Sequence, residues 1–290
     1  MNTTINGSNC SSPLNPTAGK IGKTFAYYLI LVVSLLGNSF VAVIVYRTQI
    51  LRKPTAFFIV NMAMSDLVYP IFYIPTNLTG IYVDFWLISG ALGQGVCKLN
   101  FFLSIVSSLV SIQSLVLIAV DRFGAVVFPL RSPLISSKRC PFLILATWIV
   151  ARSACSPLFL AIKLIEHPGR QLVCEWQWIE AFGESFPYKN YFLALFVVFL
   201  YIPIAFLSIL FCFILIKLKT EKVPGEQSVS AEEVREKRNR NVLTMATAIV
   251  LGFVLCWVPW SIVEPSDGLR TGKHITLFRL HLRRYCFVNG

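Results

Sequence analysis

Long stretches without a charged residue constrain this chain more than any other feature of its sequence. Residues 24–46, 99–120, 191–216 and 241–263 contain no Asp, Glu, Lys or Arg. A helix needs about 20 apolar residues to cross the hydrocarbon core of a bilayer, and helices in soluble cores seldom run that far without a charge. The four runs therefore predict four membrane-spanning helices.

Two further runs are interrupted by one charged residue each. Residues 55–79 contain only Asp66, and residues 140–162 contain only Arg152. Only 14% of the chain is charged, against about 25% in soluble domains, so the composition excludes an ordinary soluble fold. We predict an all-α integral membrane protein with six spans. The predicted spans are 24–46, 55–79, 98–122, 140–162, 191–216 and 241–263.

The basic residues of the loops predict an extracellular amino terminus, because short cytoplasmic loops are enriched in Lys and Arg. With this orientation the inner segments carry 14 such residues and the outer segments carry six. This bias accounts for much of the net charge of +12, so nucleic acid is not an expected partner. The inner segments are 47–53, 121–139 and 217–240, and the outer ones are 1–23, 84–98 and 163–190.

The first 23 residues predict an extracellular, glycosylated tail. They are polar and lack the apolar stretch of a cleavable signal peptide. Asn2, Asn6 and Asn9 each begin an Asn-x-Ser/Thr acceptor sequence for N-glycosylation, whereas Asn15 is followed by Pro16. The alternative is a chance occurrence in a segment rich in Ser, Thr and Asn.

Several motifs occur in the order and spacing of a known receptor family. Span one contains Gly37-Asn38, span two contains Asn61 and Asp66, and Arg122 at the end of span three follows Cys97 by 25 residues. Together these motifs resemble the rhodopsin-like (class A) G-protein-coupled receptors, and the overall look is closest to neuropeptide receptors. Further landmarks are Pro129, Trp148, Pro203 and the run Phe253-x-x-Cys256-Trp257-x-Pro259-Trp260.

The resemblance implies a rhodopsin-like seven-helix bundle, here truncated to six transmembrane helices, that binds an extracellular ligand and activates a heterotrimeric G protein. It also implies a disulfide between Cys97 and Cys174, both in predicted outer segments, where disulfides persist. The G-protein-coupling site would comprise Asp121, Arg122, Phe123 and Pro129. Phe123 departs from the family's usual tyrosine. The alternative for Arg122 is a snorkelling arginine at the membrane interface.

An ionisable residue inside a membrane is costly and marks a function by default. The resemblance implies that Asp66 and Ser111 hold an allosteric sodium ion; the alternative is an aspartate that only bonds neighbouring helices. No other cofactor and no catalytic metal are expected. Arg152 has no family role, and we expect it to snorkel toward the outer headgroups in preference to lining the cavity.

The resemblance also places an activation switch and a ligand pocket. The switch would comprise Phe253, Trp257 and Pro259, because the proline bends span six. Ser104 stands where amine receptors of the family carry an aspartate, which disfavours an amine ligand. The long outer segment 163–190, with four glutamates and two tryptophans, suits a peptide. The implied ligand pocket contains Ser104, Ser108, Trp257 and Trp260.

Residues 264–290 predict a basic, non-homologous carboxyl-terminal tail that cannot cross a membrane, because their longest charge-free run after Lys273 ends at Phe278. The family's seventh span is therefore expected to be missing. We expect little or no ligand-dependent activation from this chain alone, recovery in a chimera with a seventh span, and retention in the endoplasmic reticulum as an alternative to the plasma membrane.

Three functions remain open at this point. The first is a plasma-membrane receptor for a peptide, with a G protein and membrane lipids as partners. The second is a truncated, non-signalling receptor form or a gene-model fragment. The third is a six-span transporter or channel, disfavoured because the sequence shows no inverted repeat. An enzyme is not expected, since the three histidines do not have the spacing of a metal site.

Overall fold

The computed structural model describes five stretches of the chain, which together hold the first five predicted spans. The predicted glycosylation sites Asn2, Asn6 and Asn9, the sixth span 241–263 and the basic tail 264–290 lie outside them. The described residues are 16–47, 54–83, 85–128, 134–168 and 171–220.

The architecture is a helical bundle with one small β-hairpin between its fourth and fifth spans. A π-helical turn (Val197–Tyr201) joins the last two helices into one continuous fifth span. In chain order the other elements are α1 (Pro16–Arg47), α2 (Pro54–Tyr82), α3 (Gly90–Val127), a 3-10 turn (Ser137–Arg139), α4 (Cys140–Ala161), β1 (Ile162–His167), β2 (Gln171–Trp176), α5 (Trp178–Phe182), α6 (Tyr188–Phe196) and α7 (Ile202–Thr220).

Five segments of the described chain are long and apolar enough to cross a membrane, which confirms the predicted membrane class. Each overlaps one of the first five predicted spans. Most run beyond it: α1 begins at Pro16 and α3 begins at Gly90. A helix continues past the hydrocarbon core because polar side chains there meet headgroups and water. Proline is the first residue of α1 and α2, where its missing amide costs no intrahelical bond.

α3 is the central helix, because it packs against α2, α4 and α7 and also contacts β1. Five serines lie along this helix, which would be expensive in an apolar core if their hydroxyls were unpaired. Most are satisfied locally: Ser104 donates to the Asn100 carbonyl at 2.6 Å, and Ser114 donates to the Val110 carbonyl at 2.7 Å. α3 therefore carries small polar residues through the bundle at little cost.

The exposed surface of α1 carries large apolar side chains. Phe25, Val33, Leu36 and Phe40 are each more than 60% exposed. A soluble protein would bury such side chains, whereas lipid tails are as apolar as these residues. Among the described helices α1 packs mainly on α2, and its exposed apolar side chains suit a lipid environment.

A proline lies inside α4 near its outer end, and two hydroxyls donate to backbone carbonyls beside it. Pro157 has no amide to donate to the Ser153 carbonyl, one turn earlier. The Ser156 hydroxyl donates to that carbonyl instead, at 2.8 Å. One residue further on, the Tyr191 hydroxyl of α6 donates to the Ala154 carbonyl at 2.7 Å. This part of α4 is thereby bonded to the fifth span.

The π-helical turn in the fifth span has a similar cause. Pro203 cannot donate an amide hydrogen to Phe199, and the helix widens just before it. The Ile202 amide bonds the Val197 carbonyl, five residues back, which is the hydrogen-bond pattern of a π turn. The turn therefore inserts one extra residue into the helix.

The hairpin is an addition to the predicted all-α fold. β1 pairs antiparallel with β2, so that Ile162 lies opposite Trp176 and Leu164 lies opposite Cys174. A two-stranded ribbon is marginally stable alone. Here it rests on the outer end of the bundle, with Ile162, Cys174 and Trp176 buried in the same apolar cluster as α3 and α4.

Candidate functional site

A disulfide ties the hairpin to the central helix. Cys97 of α3 and Cys174 of β2 are bonded, with their Cα atoms 5.9 Å apart, and both are buried. This confirms the pairing that the family resemblance implies. The bond closes a loop of 77 residues, so it removes considerable freedom from the unfolded chain. It fixes β2 over the outer end of α3.

Three further contacts hold the hairpin against the bundle. The Trp86 amide, in the loop before α3, donates to the Leu172 carbonyl at 2.6 Å. The Gln94 side chain accepts from the Leu164 amide at 2.8 Å and donates to the Ile162 carbonyl at 3.4 Å. Sequence reasoning did not identify Gln94, since a glutamine near a helix start carries no motif. The hairpin is therefore a fixed lid.

A carboxylate is buried inside this lid. The Glu175 side chain is only 2% exposed, although the sequence groups it with the other glutamates of the loop. His167 Nε2 lies 3.1 Å from one of its oxygens, and Gln177 Nε2 donates to the other at 3.5 Å. Beside it, Lys163 and the exposed Glu180 form an ion pair at 2.5 Å.

Aromatic rings form the floor beneath the lid. Trp176 stacks on Phe192 of α6, with ring centroids 5.0 Å apart and an interplanar angle of 17°. Tyr188 contacts both rings, at 5.5 Å and 4.4 Å. The indole nitrogen of Trp176 is buried without a hydrogen-bond partner among the described residues. The lid thus presents one unused donor at the outer end of the bundle.

Of the predicted pocket residues, Ser104 and Ser108 lie on α3 one turn apart. Both donate to carbonyls of the preceding turn. Asn100, which sequence reasoning missed, lies one turn further out and is 2% exposed. Its amide nitrogen donates to Thr76 of α2 at 2.8 Å, and its oxygen has no partner in the described part of the chain. The predicted residues Trp257 and Trp260 lie outside that part.

The predicted sodium-site residues lie beside each other in the middle of the bundle. The Ser111 hydroxyl, buried on α3, interacts with the Asp66 carboxyl of α2, although it makes no hydrogen bond of good geometry in the described chain. A carboxylate beside an unsatisfied hydroxyl offers the oxygen ligands that hard cations prefer. Within the described residues no group of three His, Cys, Asp or Glu side chains is placed to hold a metal.

Nearer the inner end of the bundle, a polar cluster joins the three helices α2, α3 and α4. The Asn61 amide of α2 donates to Ser114 of α3 at 2.8 Å, and Trp148 of α4 donates its indole hydrogen to the Asn61 oxygen at 2.9 Å. Thr147 lies at 3.5 Å from the same amide. The sequence marks Asn61 and Trp148 as landmarks but does not show that they are bonded.

At the inner end of α3, the coupling residues form a compact ionic cluster. Arg122 Nη2 lies 3.2 Å from the Asp121 carboxylate. The Thr55 hydroxyl of α2 donates to that carboxylate and accepts from the Arg122 guanidinium. Phe123 meets Phe213 of α7 edge to face, with centroids 6.5 Å apart. Sequence reasoning missed Thr55. The predicted site residues Pro129, Phe253, Trp257 and Pro259 lie outside the described residues.

Arg152 is exposed on the outward surface of α4 and does not line the interior of the bundle. Its guanidinium lies over the Trp148 ring, 5.4 Å from the centroid. Trp148 is one turn nearer the cytoplasmic end of the helix, so the side chain folds away from the outer headgroups. The expected snorkelling toward the outer surface is therefore not the conformation that the structure shows.

Comparison with known proteins agrees with this arrangement. The chain is 26% identical to the RYamide receptor of Drosophila melanogaster over 82% of its own length and 51% of the receptor's. It is 28% identical to neuropeptide Y receptor type 1 of Xenopus laevis, over 87% of this chain and 70% of that one. It is 30% identical to the human neuromedin-K receptor, over 82% of this chain and 49% of that receptor.

The chain thus spans about half the length of the RYamide and neuromedin-K receptors. The family model described as 7 transmembrane receptor (rhodopsin family) matches residues 37–288. This interval begins in the last third of α1 and takes in the other four described spans, together with the disulfide, the polar clusters and the ionic cluster. The chain therefore belongs to the rhodopsin family of seven-transmembrane receptors.

Proposed function

We propose that this chain is a receptor for an extracellular peptide and couples to a heterotrimeric G protein. The observation that carries the proposal is the pair of sites at opposite ends of α3. A disulfide-tied lid with polar and aromatic groups lies at the outer end, and the Thr55–Asp121–Arg122 cluster lies at the inner end. The relatives described above are named for peptides, and their family is one of receptors, not enzymes.

Peptide recognition is supported by the chemistry of the outer end. A peptide backbone presents amides and carbonyls, and the described residues keep unpaired groups there: the Asn100 oxygen as an acceptor and the indole nitrogens of Trp86 and Trp176 as donors. No carboxylate lies on α3 facing this region, because Ser104 stands at that level. A peptide therefore fits these groups better than a small amine does.

Coupling is supported by the bonding of Arg122. Its guanidinium has five N–H donors, and Asp121 and Thr55 engage only one nitrogen of the group, Nη2. The Nε hydrogen is buried without a partner in the described chain. A G-protein segment that enters the inner crevice and offers backbone carbonyls would satisfy these donors. Exchange of Thr55 and Asp121 for such carbonyls is the switch that we propose.

Asp66 and Ser111 extend the proposal to regulation by sodium. A sodium ion there would be held by the Asp66 carboxylate and the Ser111 hydroxyl, and it would supply a positive charge that holds α2 to α3. A multi-pass membrane protein of this family that senses an extracellular peptide acts at the cell surface, so we place the receptor in the plasma membrane with its amino terminus outside.

The test measures peptide binding and G-protein activation separately. The chain, and a chimera that adds a seventh span from a relative, are reconstituted in phosphatidylcholine nanodiscs and titrated with an RYamide peptide, neuropeptide Y and neuromedin K. We expect saturable binding of at least one peptide to the chain, and peptide-dependent nucleotide exchange by the chimera. Arg122→Ala should keep the binding and lose the exchange. Absence of binding for all three peptides in both proteins would contradict the proposed ligand class.

A further inference from the structure

The outward surface of α4 carries a full positive charge at a depth where lipid tails are expected. Arg152 is exposed there, twelve residues from Cys140 and nine from Ala161. At a rise of 1.5 Å per residue, its Cα is about 18 Å from the inner end of the helix and about 13 Å from the outer end. Among the described residues no Asp or Glu forms an ion pair with it.

Lipid headgroups are poorly placed to neutralise this charge. The guanidinium folds back over Trp148, toward the inner end of α4, and so lies deeper than its own Cα as seen from the outer surface. Trp148 is itself fixed by its hydrogen bond to Asn61 of α2. A cation over an indole ring is stabilised by the ring quadrupole, but the ring provides no negative charge. The part of the chain that the structure describes therefore provides no counter-ion at this site.

The surface around Arg152 has the form of a helix-docking seam. Leu145 and Ile149 lie below it and are 57% and 55% exposed. Ser153 and Ser156 flank it, and small residues at such positions let a second helix approach closely. Toward the outer side the seam continues into an apolar cleft of about 290 Å³. The cleft is lined by Phe102, Ser156, Phe159 and Leu160.

The positive charge of Arg152 determines which kind of helix fits this seam. The described spans contain two acidic residues, and neither is available on the outer surface: Asp66 interacts with Ser111 inside the bundle, and Asp121 bonds Thr55 and Arg122. A second copy of this chain would therefore bring no carboxylate from these spans to Arg152. A two-fold contact between α4 helices would instead place two guanidiniums side by side.

We propose that the outward face of α4 binds a transmembrane helix of a different membrane protein that carries an Asp or Glu at mid-membrane depth. Ionisable residues inside membranes pair with one another across helices, and the carboxylate would complete the Arg152–Trp148 pair. The serines allow close contact of the backbones, and an apolar side chain of the partner fills the cleft. This inference does not depend on the proposed ligand or on G-protein coupling.

The test uses designed single-span peptides as the partner. A lysine-flanked poly-Leu/Ala helix with one central Asp is compared with the same helix without Asp and with one whose Asp is moved two turns toward an end. Each peptide is co-reconstituted with the fluorescently labelled chain in phosphatidylcholine vesicles, and association is measured by energy transfer. We expect the central-Asp helix to associate at least tenfold more tightly than either control, and Arg152→Leu to abolish the difference.

A charge exchange distinguishes pairing from general disturbance. The Arg152→Asp variant should no longer bind the helix with a central Asp and should bind a helix with a central Arg. Lys189→Leu, a change of charge outside this seam, should not alter the binding of either helix. Equal association of the Asp and Leu helices with the unmodified chain would overturn the proposal. The proposal would also be overturned if the labelled chain associated with itself and Arg152→Leu abolished that association. The seam would then bind a second copy of this chain. An Arg152-dependent preference for phosphatidylserine vesicles, with no peptide effect, would assign it to lipid.

Discussion

One hydroxyl group holds the inner end of the receptor together. Thr55 donates to Asp121 and accepts from Arg122, so the same oxygen serves both charged partners. Asp121 is nearly buried and Arg122 is about one third exposed. Hydrogen bonds to charged groups contribute about 1.5–3 kcal/mol each, more than a neutral pair does. The position of Arg122 therefore depends on a residue 67 positions earlier in the chain.

We expect Thr55→Val to raise basal nucleotide exchange by roughly three- to tenfold, since loss of about 1 kcal/mol of restraint changes a population by a factor of about five. Valine keeps the shape and removes both bonds. The measurement is nucleotide exchange without peptide, in the chimera that carries a seventh span. Thr79→Val is the matched control, because Thr79 bonds only the Thr76 carbonyl of its own helix. Equal basal rates for the two variants would refute a restraining role for Thr55.

Asn61 offers a second prediction at the scale of one residue. Asn61→Leu should lower the free energy of unfolding by about 1–2 kcal/mol, because it breaks bonds to α3 and α4 and leaves the Trp148 indole unpaired. The corresponding fall in melting temperature is roughly 2–8 °C. Asn77→Leu, which loses only a bond to the Tyr73 carbonyl of the same helix, should melt within about a degree of the unmodified chain. A comparable loss in both variants would contradict the prediction.

Among the elements, the hairpin lid differs most from what the sequence predicts. Charge-free runs predict helices well, because a bilayer forces each span to satisfy its backbone internally. Outside the membrane that constraint ends. The turn signal Pro168-Gly169 lies between two short runs of apolar residues, and sequence reasoning did not identify it as a hairpin. The disulfide and Gln94 attach this hairpin to α3, and both are contacts between distant parts of the chain.

The side chain of Gln94 provides a test of how rigid the lid is. Gln94→Leu removes the acceptor for the Leu164 amide and the donor to the Ile162 carbonyl. We expect the Leu164 amide to exchange its hydrogen at least tenfold faster and peptide binding to weaken, because local opening costs less free energy. Gln171→Leu, at the exposed start of β2, is the control and should change neither. Unaltered exchange at Leu164 in Gln94→Leu would show that the disulfide alone fixes the lid.

The candidate site, too, could be predicted only in part from the sequence. Family motifs locate Asp66, Ser111, Asp121 and Arg122 in the sequence, and the structure places them in pairs. The partners Thr55, Asn100 and Gln94 could not be predicted, because each acts through a tertiary contact and none belongs to a motif. Arg152 was recognised as a charge out of place, but its outward direction depends on the rotation of α4, which a sequence with apolar residues on all sides does not reveal.

At the scale of the whole molecule, the proposed peptide binding and G-protein coupling both depend on the orientation of the chain in the membrane. An extracellular amino terminus places the lid outside and Arg122 inside, as the loop charges predict. We expect enzymatic removal of N-glycans to increase the gel mobility of the chain expressed in animal cells. The triple substitution of Asn2, Asn6 and Asn9 by Gln should remove that shift. A tagged amino terminus that protease cuts only after cells are permeabilised would contradict this orientation.

The π turn in the fifth span links the two ends of the receptor through the number of residues between them. Phe192, above the turn, packs beneath the lid, and Leu207 and Phe211, below it, pack against α3. Each residue of a helix advances about 100° around the axis, so loss of one residue from Val197–Tyr201 would rotate one set of contacts away from its neighbours. Residues within the turn can therefore be exchanged for others of similar size, but the count between the outer and inner contacts is fixed.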